Sequence, residues 1–126
     1  MSNVFKEVML NRVAFIDLKN DLKFEFYDSS TGNNLGEVIC KNIFSFSYHT
    51  TFEPNEETFP CFVLDVSASK LKSEDDVSQA FKKLNFRYSY SDGLAIPKSD
   101  EYNLFSIQGG PIDLTVLCKS VDVMKL

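Results

Sequence analysis

The sequence predicts an α+β fold: a curved, mainly antiparallel sheet or half-barrel of about six to seven strands, with one central helix and a short N-terminal helix. Three observations predict it. Segments in which apolar and polar residues alternate occur along most of the chain, as strands with one buried face require. The segment 73–84 has helical spacing instead, and turn-forming residues separate the rest. At 126 residues the chain is predicted to form a single domain, 1–126.

The N-terminal residues are expected to begin the fold as a short helix. Asn3 is a favourable N-cap residue, and the apolar side chains that follow it share one helix face. They are Val4, Phe5, Val8 and Met9.

Two antiparallel strands are predicted next, the first over 13–18 and the second over 22–27, because apolar and charged residues alternate in the second.

A long strand is expected after Gly36. Its apolar residues share one parity, but Asn42 interrupts them, so we expect a bulge or bend there. The apolar residues are Val38, Cys40, Phe44, Phe46 and Tyr48.

An acidic, exposed loop is predicted over 52–60. The strand that follows, 61–68, resumes the alternation of apolar and polar residues. This alternation predicts that Phe62, Leu64 and Val66 face the core.

The segment 73–84 is predicted to be the helix. Ser73 is a favourable N-cap residue, and acidic residues in the first turn meet the positive end of the helix dipole. These acidic residues are Glu74, Asp75 and Asp76. Apolar residues then recur at helical spacing, and Lys82 and Lys83 lie at the negative end.

The last third of the chain contains the longest apolar strand pattern, and a further strand is expected at 86–90. Gly109 and Gly110, followed by Pro111, predict the tight turn of a hairpin. A phosphate-binding loop is not expected, because neither of its glycine patterns is present and no helix follows. The second strand of the hairpin turns alternate residues to one face, namely Ile112, Leu114, Val116 and Cys118.

The charge of the chain favours a basic protein as its partner. The net charge is −5 and the isoelectric point about 4.8. The 13 lysine and arginine residues form no stripe, so nucleic acid is not expected to bind directly. Acidic clusters instead attract basic proteins, although they also fit a solvated face with a helix cap. The predicted binding residues are Glu53, Glu56, Glu57, Glu74, Asp75, Asp76, Asp92, Asp100 and Glu101.

Cysteine and histidine usage argues against metal, cofactor and disulfide chemistry. Cys40, Cys61 and Cys118 are far apart and lie among apolar residues, so they are expected to be buried free thiols. No metal site is expected, because one histidine and scattered cysteines do not have metal-ligand spacing. Cys61 and His49 would be a nucleophile and its base if the fold brought them together, so a cysteine hydrolase is one alternative function.

The aromatic residues allow another alternative, a small barrel-like module that binds an apolar ligand. Its predicted lining is Phe24, Phe26, Phe44, Phe46, Tyr48, Tyr88 and Tyr90.

An unpaired edge strand would also permit a homodimer. No segment has the apolar length of a signal peptide or a membrane span, so we expect a cytoplasmic protein without a membrane partner.

The strand-turn-strand pattern of Phe105 to Lys119 resembles that of bacterial immunity proteins from contact-dependent and other polymorphic toxin systems. The small size, the acidic charge and the lack of a catalytic motif are also similar to theirs. The resemblance implies a non-enzymatic protein that binds a toxin domain, often a nuclease, and blocks its active site or substrate surface. Because nuclease toxins tend to be basic, the acidic clusters fit this role. No functional residue is carried over by position.

Overall fold

The computed structural model describes residues 2–51, 59–83 and 102–126, which form six strands and one helix. The strand predicted at 86–90 lies outside the described residues. The elements are β1 Ser2–Phe15, β2 Leu22–Asp28, β3 Asn34–Thr50, β4 Cys61–Lys70, α1 Glu74–Lys83, β5 Asn103–Gln108 and β6 Ile112–Lys125.

The six strands pair into one closed antiparallel ring in the order β1-β2-β3-β6-β5-β4. Four of the pairings join strands that are consecutive in the chain. The other two, β3 with β6 and β1 with β4, join strands that are distant in sequence. Of the two predicted forms, a curved antiparallel sheet or a half-barrel, the curved antiparallel sheet is confirmed, and it closes into a ring because β1 pairs with β4.

Side chains from all six strands fill the inside of the ring. Phe24 of β2 and Phe105 of β5 come from opposite sides, and their ring centroids are 4.9 Å apart. Both rings are fully buried. The predicted apolar face of β6 is confirmed, since its residues are all buried in this core. They are Ile112, Leu114, Val116 and Cys118.

The N-terminal segment is a strand, so the helix predicted there is wrong. The register of β1 shifts after Asn3 against β4 and after Leu10 against β2, and Glu7 has a φ of 52°. Such irregularities change which side chains point to a given face. Val4 and Phe5, although adjacent in sequence, therefore both contact the core and imitate helical spacing.

β3 bends at the position that the sequence predicts. Asn42 has a φ of 53°, and the register against β6 shifts just beyond Ile43. The turn between β1 and β2 fixes the bend: the Asn42 N–H donates to the Asp21 carboxylate at 2.9 Å, and the Ile43 N–H donates to the Asn20 carbonyl at 2.9 Å. Ile43 consequently faces the core, whereas Phe44, predicted to face it, packs on the other face of the sheet.

β4 turns a different set of side chains inward from the predicted one. Val66 is buried as expected, but Phe62 and Leu64 are 40% and 43% exposed. Cys61 and Val63 take the inward positions. Since both alternating sets of this strand contain apolar residues, the pattern alone does not determine which face is buried.

The predicted helix is confirmed, but it lies outside the ring. Val77 and Ala80 of α1 pack with Leu117, which points outward from β6 and would otherwise expose its side chain. The described residues therefore form a mainly β fold with one helix, and the predicted α+β class with a central helix and an N-terminal helix is corrected. No helix among the described residues has the length and apolar character needed to cross a membrane.

We expect Phe24→Ala to lower the free energy of unfolding by about 3–5 kcal/mol, because it leaves a cavity in the centre of the core. Urea denaturation followed by circular dichroism measures this change. Phe62→Ala is the matched control, since Phe62 lies on the outer face, and it should change the stability by less than about 1 kcal/mol. Equal losses in the two variants would contradict the assignment of the core.

Candidate protein-binding cleft

A cleft of about 240 Å³ lies where the end of β3 meets the turn between β5 and β6. One wall is the end of β3 and the other is the turn between β5 and β6. The Thr51 N–H donates to the Pro111 carbonyl at 3.0 Å, which continues the pairing of β3 with β6 and holds the two walls together. The cleft is smaller than the roughly 300–1,000 Å³ pockets of drug-sized ligands, so it suits a single side chain of a partner. It is lined by His49, Thr50, Thr51, Gln108, Gly109, Gly110, Pro111, Ile112 and Asp113.

The glycines of the second wall form the predicted hairpin turn. Gly109 and Gly110 have φ values of 90° and 71°, a backbone conformation that favours glycine. A Cβ atom on Gly109 would meet the Leu64 side chain, and one on Gly110 would meet the Phe62 carbonyl oxygen. The turn therefore packs directly against β4, and only glycine permits that approach.

His49 and Asp113 lie opposite each other on β3 and β6, and both side chains are exposed. His49 Nε2 is 3.0 Å from Ser47 Oγ. The Asp113 carboxylate forms no ion pair with any described residue, whereas Lys23 pairs with Glu37 at 3.1 Å elsewhere on the surface.

A row of hydroxyl side chains crosses the outer face beside the cleft. Ser67 pairs with Ser106, Ser106 with Thr115, and Thr115 with Ser47, so the row spans four strands. Ser67, Ser106 and Thr115 are buried, and the Ser106 hydroxyl has no hydrogen-bond partner among the described residues.

Cys61 does not form the nucleophile and base pair that the sequence left open. Its side chain packs in the core, whereas His49 is exposed and contacts Ser47. Burial raises the pKa of the Cys61 thiol to about 11, so it stays protonated at neutral pH. A hydrogen bond with Cys118, together with burial, raises the pKa of Cys40. The prediction of three buried free thiols is confirmed.

Only one of the predicted acidic clusters lies among the described residues, at the start of α1. Asp75 is exposed. Asp76 instead caps the helix: its N–H donates to Ser73 Oγ at 3.1 Å, and its carboxylate accepts the Lys72 N–H at 3.1 Å. Glu74 begins the helix. The other predicted binding residues lie outside the described residues, namely Glu53, Glu56, Glu57, Asp92, Asp100 and Glu101.

The acidic surplus of the chain falls largely within two connections, 52–58 and 84–101. They contain those six acidic residues but only two basic ones, Arg87 and Lys98. The remaining acidic and basic residues are almost equal in number. The connection 52–58 follows Thr51, which lines the cleft. The cleft and the most acidic connection are therefore contiguous in the chain.

The structure also separates the aromatic residues expected to line a ligand cavity. Phe24 and Phe26 lie in the core, and Phe44 packs near α1 on the outer face. Phe46 and Tyr48 are 43% and 41% exposed. The last two of the set lie outside the described residues, namely Tyr88 and Tyr90. The described members of the set do not share one interior surface.

Comparison with known proteins establishes the family and the fold. A family model with the description "-like:-like" matches residues 3–125. The chain belongs to this family. A crystal structure of an uncharacterized protein from Neisseria gonorrhoeae has a TM-score of 0.65 and 22% sequence identity, over 99% of this chain and 97% of that one. At this identity the likeness concerns the fold. No curated protein matches the chain.

Asp113 is a candidate site residue that the sequence pattern does not reveal. The pattern of β6 was interpreted through its apolar face, and Asp113 is on the other one. The available signal was a carboxylate two residues after the hairpin proline, at the start of a strand. Asp113 lies at the cleft because β6 pairs with β3 in a register that places it opposite His49. These two strands are far apart in the chain, so no local pattern predicts that register.

We expect Cys61 to resist alkylation in the folded protein. With a pKa of about 11, against about 8.5 in an unfolded chain, its thiolate fraction at pH 8 is about two orders of magnitude lower. Iodoacetamide labelling with peptide mass spectrometry measures the rate. The stability that depends on this thiol is present below pH 8.5 and is lost as the pH rises toward 11. Labelling at the rate of the urea-unfolded protein would contradict the burial.

We expect Ser73→Ala to lower the free energy of unfolding by about 1 kcal/mol, because the Asp76 N–H loses its acceptor. Ser78→Ala is the matched control in the same helix, where an exposed serine is replaced by a better helix former. It should leave the stability unchanged or slightly higher. Thermal unfolding of both variants measures the difference, and indistinguishable values would show that the cap is not stabilising.

Proposed function

We propose that the protein is a non-enzymatic binding protein, an immunity protein that neutralises a basic toxin domain by direct contact. The partner is a protein with exposed lysine or arginine side chains, and a nuclease domain has that character. In this proposal the cleft receives one such side chain, and the acidic connection 52–58 extends the contact. The proposal needs neither a cofactor nor a metal ion.

The observation that carries the proposal is the environment of Asp113. Its carboxylate is exposed at a cleft large enough for one side chain and forms no ion pair with a described residue. Gln108 and Thr51 supply further polar groups to the same cleft. A guanidinium or ammonium group is the complementary ligand, because it donates several hydrogen bonds and carries the opposite charge.

The charge distribution supports the same partner. The connection 52–58 contains three glutamates and no basic residue, and it begins next to the cleft at Thr51. Clustered charge of one sign accelerates encounter with a protein of the opposite sign. Physiological salt shortens the range of this attraction to about 8 Å. The rate of encounter should therefore depend more strongly on ionic strength than the stability of the docked complex.

The same face offers little for catalysis. His49 contacts Ser47, but it is exposed, and no ion pair joins it to Asp113 opposite. A serine nucleophile needs a base that a third group orients, with donors for the developing oxyanion. Among the described residues, no group of three or more histidine, cysteine or acidic side chains is placed to hold a metal ion. These features support binding in preference to chemistry.

The experiment begins with affinity capture of tagged protein from its host at about 50 mM salt and continues with the basic protein recovered. We expect Asp113→Lys, and separately Glu56→Lys with Glu57→Lys, to weaken its binding at least tenfold, or about 1.4 kcal/mol. Isothermal titration calorimetry measures the affinity.

Two further variants are the controls. Asp17→Lys makes the same charge reversal in the turn between β1 and β2 and should leave the affinity within about twofold. Asp75→Lys tests the helix cluster without removing the Asp76 cap. Unchanged affinity in both the Asp113→Lys variant and the double glutamate variant, or a uniform loss in all four variants, would refute docking at the cleft.

A further inference from the structure

We propose that two copies of the chain pair antiparallel along the edge of β3 that no described strand covers, with the two-fold axis at Ser47. The occupant of this edge is thus a second copy of the same strand. The inference is independent of the toxin partner, because Phe46 and Tyr48 are not among the residues that line the cleft.

The edge exists because β3 extends beyond β2. β3 pairs with β2 over 34–40 but with β6 over 36–50. Beyond the bend at Asn42, therefore, β3 has β6 on one side and no strand of the described residues on the other. An unpaired strand edge is a template for another strand.

The direction of the backbone groups follows from the register. Thr51 donates its N–H to its pairing partner Pro111, and bonded and non-bonded pairs alternate along an antiparallel ladder. Ser47 and His49 consequently bond to β6. The N–H and C=O groups of Phe46 and Tyr48 point away from β6, toward this edge, and bond to no described residue.

The side chains on this edge are apolar and half-exposed. Phe46 is 43% exposed and Tyr48 41% exposed. The Phe46 ring contacts Phe15 of β1 at a centroid distance of 5.9 Å, and Phe15 is itself 56% exposed. Burial of these rings in a dimer would stabilise it by roughly 25 cal/mol per Å² of apolar surface removed from water.

The sequence of the edge does nothing to prevent self-association. The segment 44–51 contains no lysine, acidic residue, proline or glycine. Natural edge strands that remain unpaired usually contain one of these or a covering element. The bend at Asn42 lies before the segment and leaves it straight against β6, since its register does not shift between Ser45 and Thr50.

A two-fold axis at Ser47 gives the outward backbone groups hydrogen-bond partners and brings the aromatic side chains of the two copies together. It places Phe46 opposite Tyr48 of the second copy, and Tyr48 opposite its Phe46. The outward groups of these residues then form two reciprocal bonded pairs, and each side contributes an aromatic cross-strand contact. If the axis moved by one residue, Phe44 or Thr50 would have to pair with the second copy instead. Both residues already make other interactions.

The contact is small, so the dimer should be weak and depend on concentration. A pairing of one short strand buries less than the roughly 1,200 Å² of a standard stable interface. We expect monomer at low micromolar concentration and dimer at higher concentration.

Disulfide trapping tests the register. Ser47 lies on the axis, as a non-bonded pair whose Cα atoms are about 4.5 Å apart, within the disulfide range of about 4.4–6.8 Å. Oxidation of Ser47→Cys with diamide at about 100 µM protein should produce a covalent dimer, read by non-reducing electrophoresis. Ser45→Cys is the matched control, since its opposite residue is His49 of the second copy, and it should crosslink at least tenfold less. The native cysteines are buried in both.

Sedimentation velocity tests the association without a crosslink. The unmodified protein should shift toward dimer between about 5 and 500 µM, and Tyr48→Lys should remain monomeric. Met124→Lys, at another exposed apolar position of 57% exposure, is the control and should behave as the unmodified protein. A monomer throughout this range, equal crosslinking of the two cysteine variants, or a dimer retained by Tyr48→Lys would each overturn the proposal.

Discussion

The pairing of β1 with β4 closes the ring, and the rest of the fold depends on it. The first part of β1 bonds to β4 and its second part to β2, so one strand joins the two halves of the sheet. Its register shifts and the positive φ of Glu7 let it curve between them. Without this pairing, the inward faces would meet water and two strand edges would open. Closure therefore encloses the core and removes the edges at that position.

Local signals in the sequence were sufficient for much of the fold. The helix cap at Ser73, the glycine turn before Pro111 and the bend at Asn42 all depend on residues close together in the chain, and the structure has all three. Where the alternation itself was irregular or ambiguous, prediction failed. Bulges made β1 resemble a helix, and two apolar sets in β4 left its buried face undetermined. Neither closure of the ring nor the position of α1 outside it has a local signal.

The candidate site was less predictable than the fold, for a related reason. Charge density along the sequence identified the acidic connections but not the exposed carboxylate of Asp113. The position of that residue at a cleft results from the register of β3 against β6. The helix cluster shows the opposite case, because Asp76 was predicted both to meet the positive end of the helix dipole and to bind a partner. Its carboxylate accepts a backbone hydrogen bond at the helix start, which leaves Asp75 as the more accessible charge.

The pairing of β3 with β6 also has a kinetic consequence. Both of these long strands line the cleft, yet β4, α1 and β5 separate them in the chain. Contacts between distant segments form late and slowly, because the intervening chain must first lose its conformational freedom. During synthesis the early strands can collapse together before β6 exists, but the cleft cannot. The cleft is thus among the last features of the molecule to form, and its presence reports that β3 and β6 have paired.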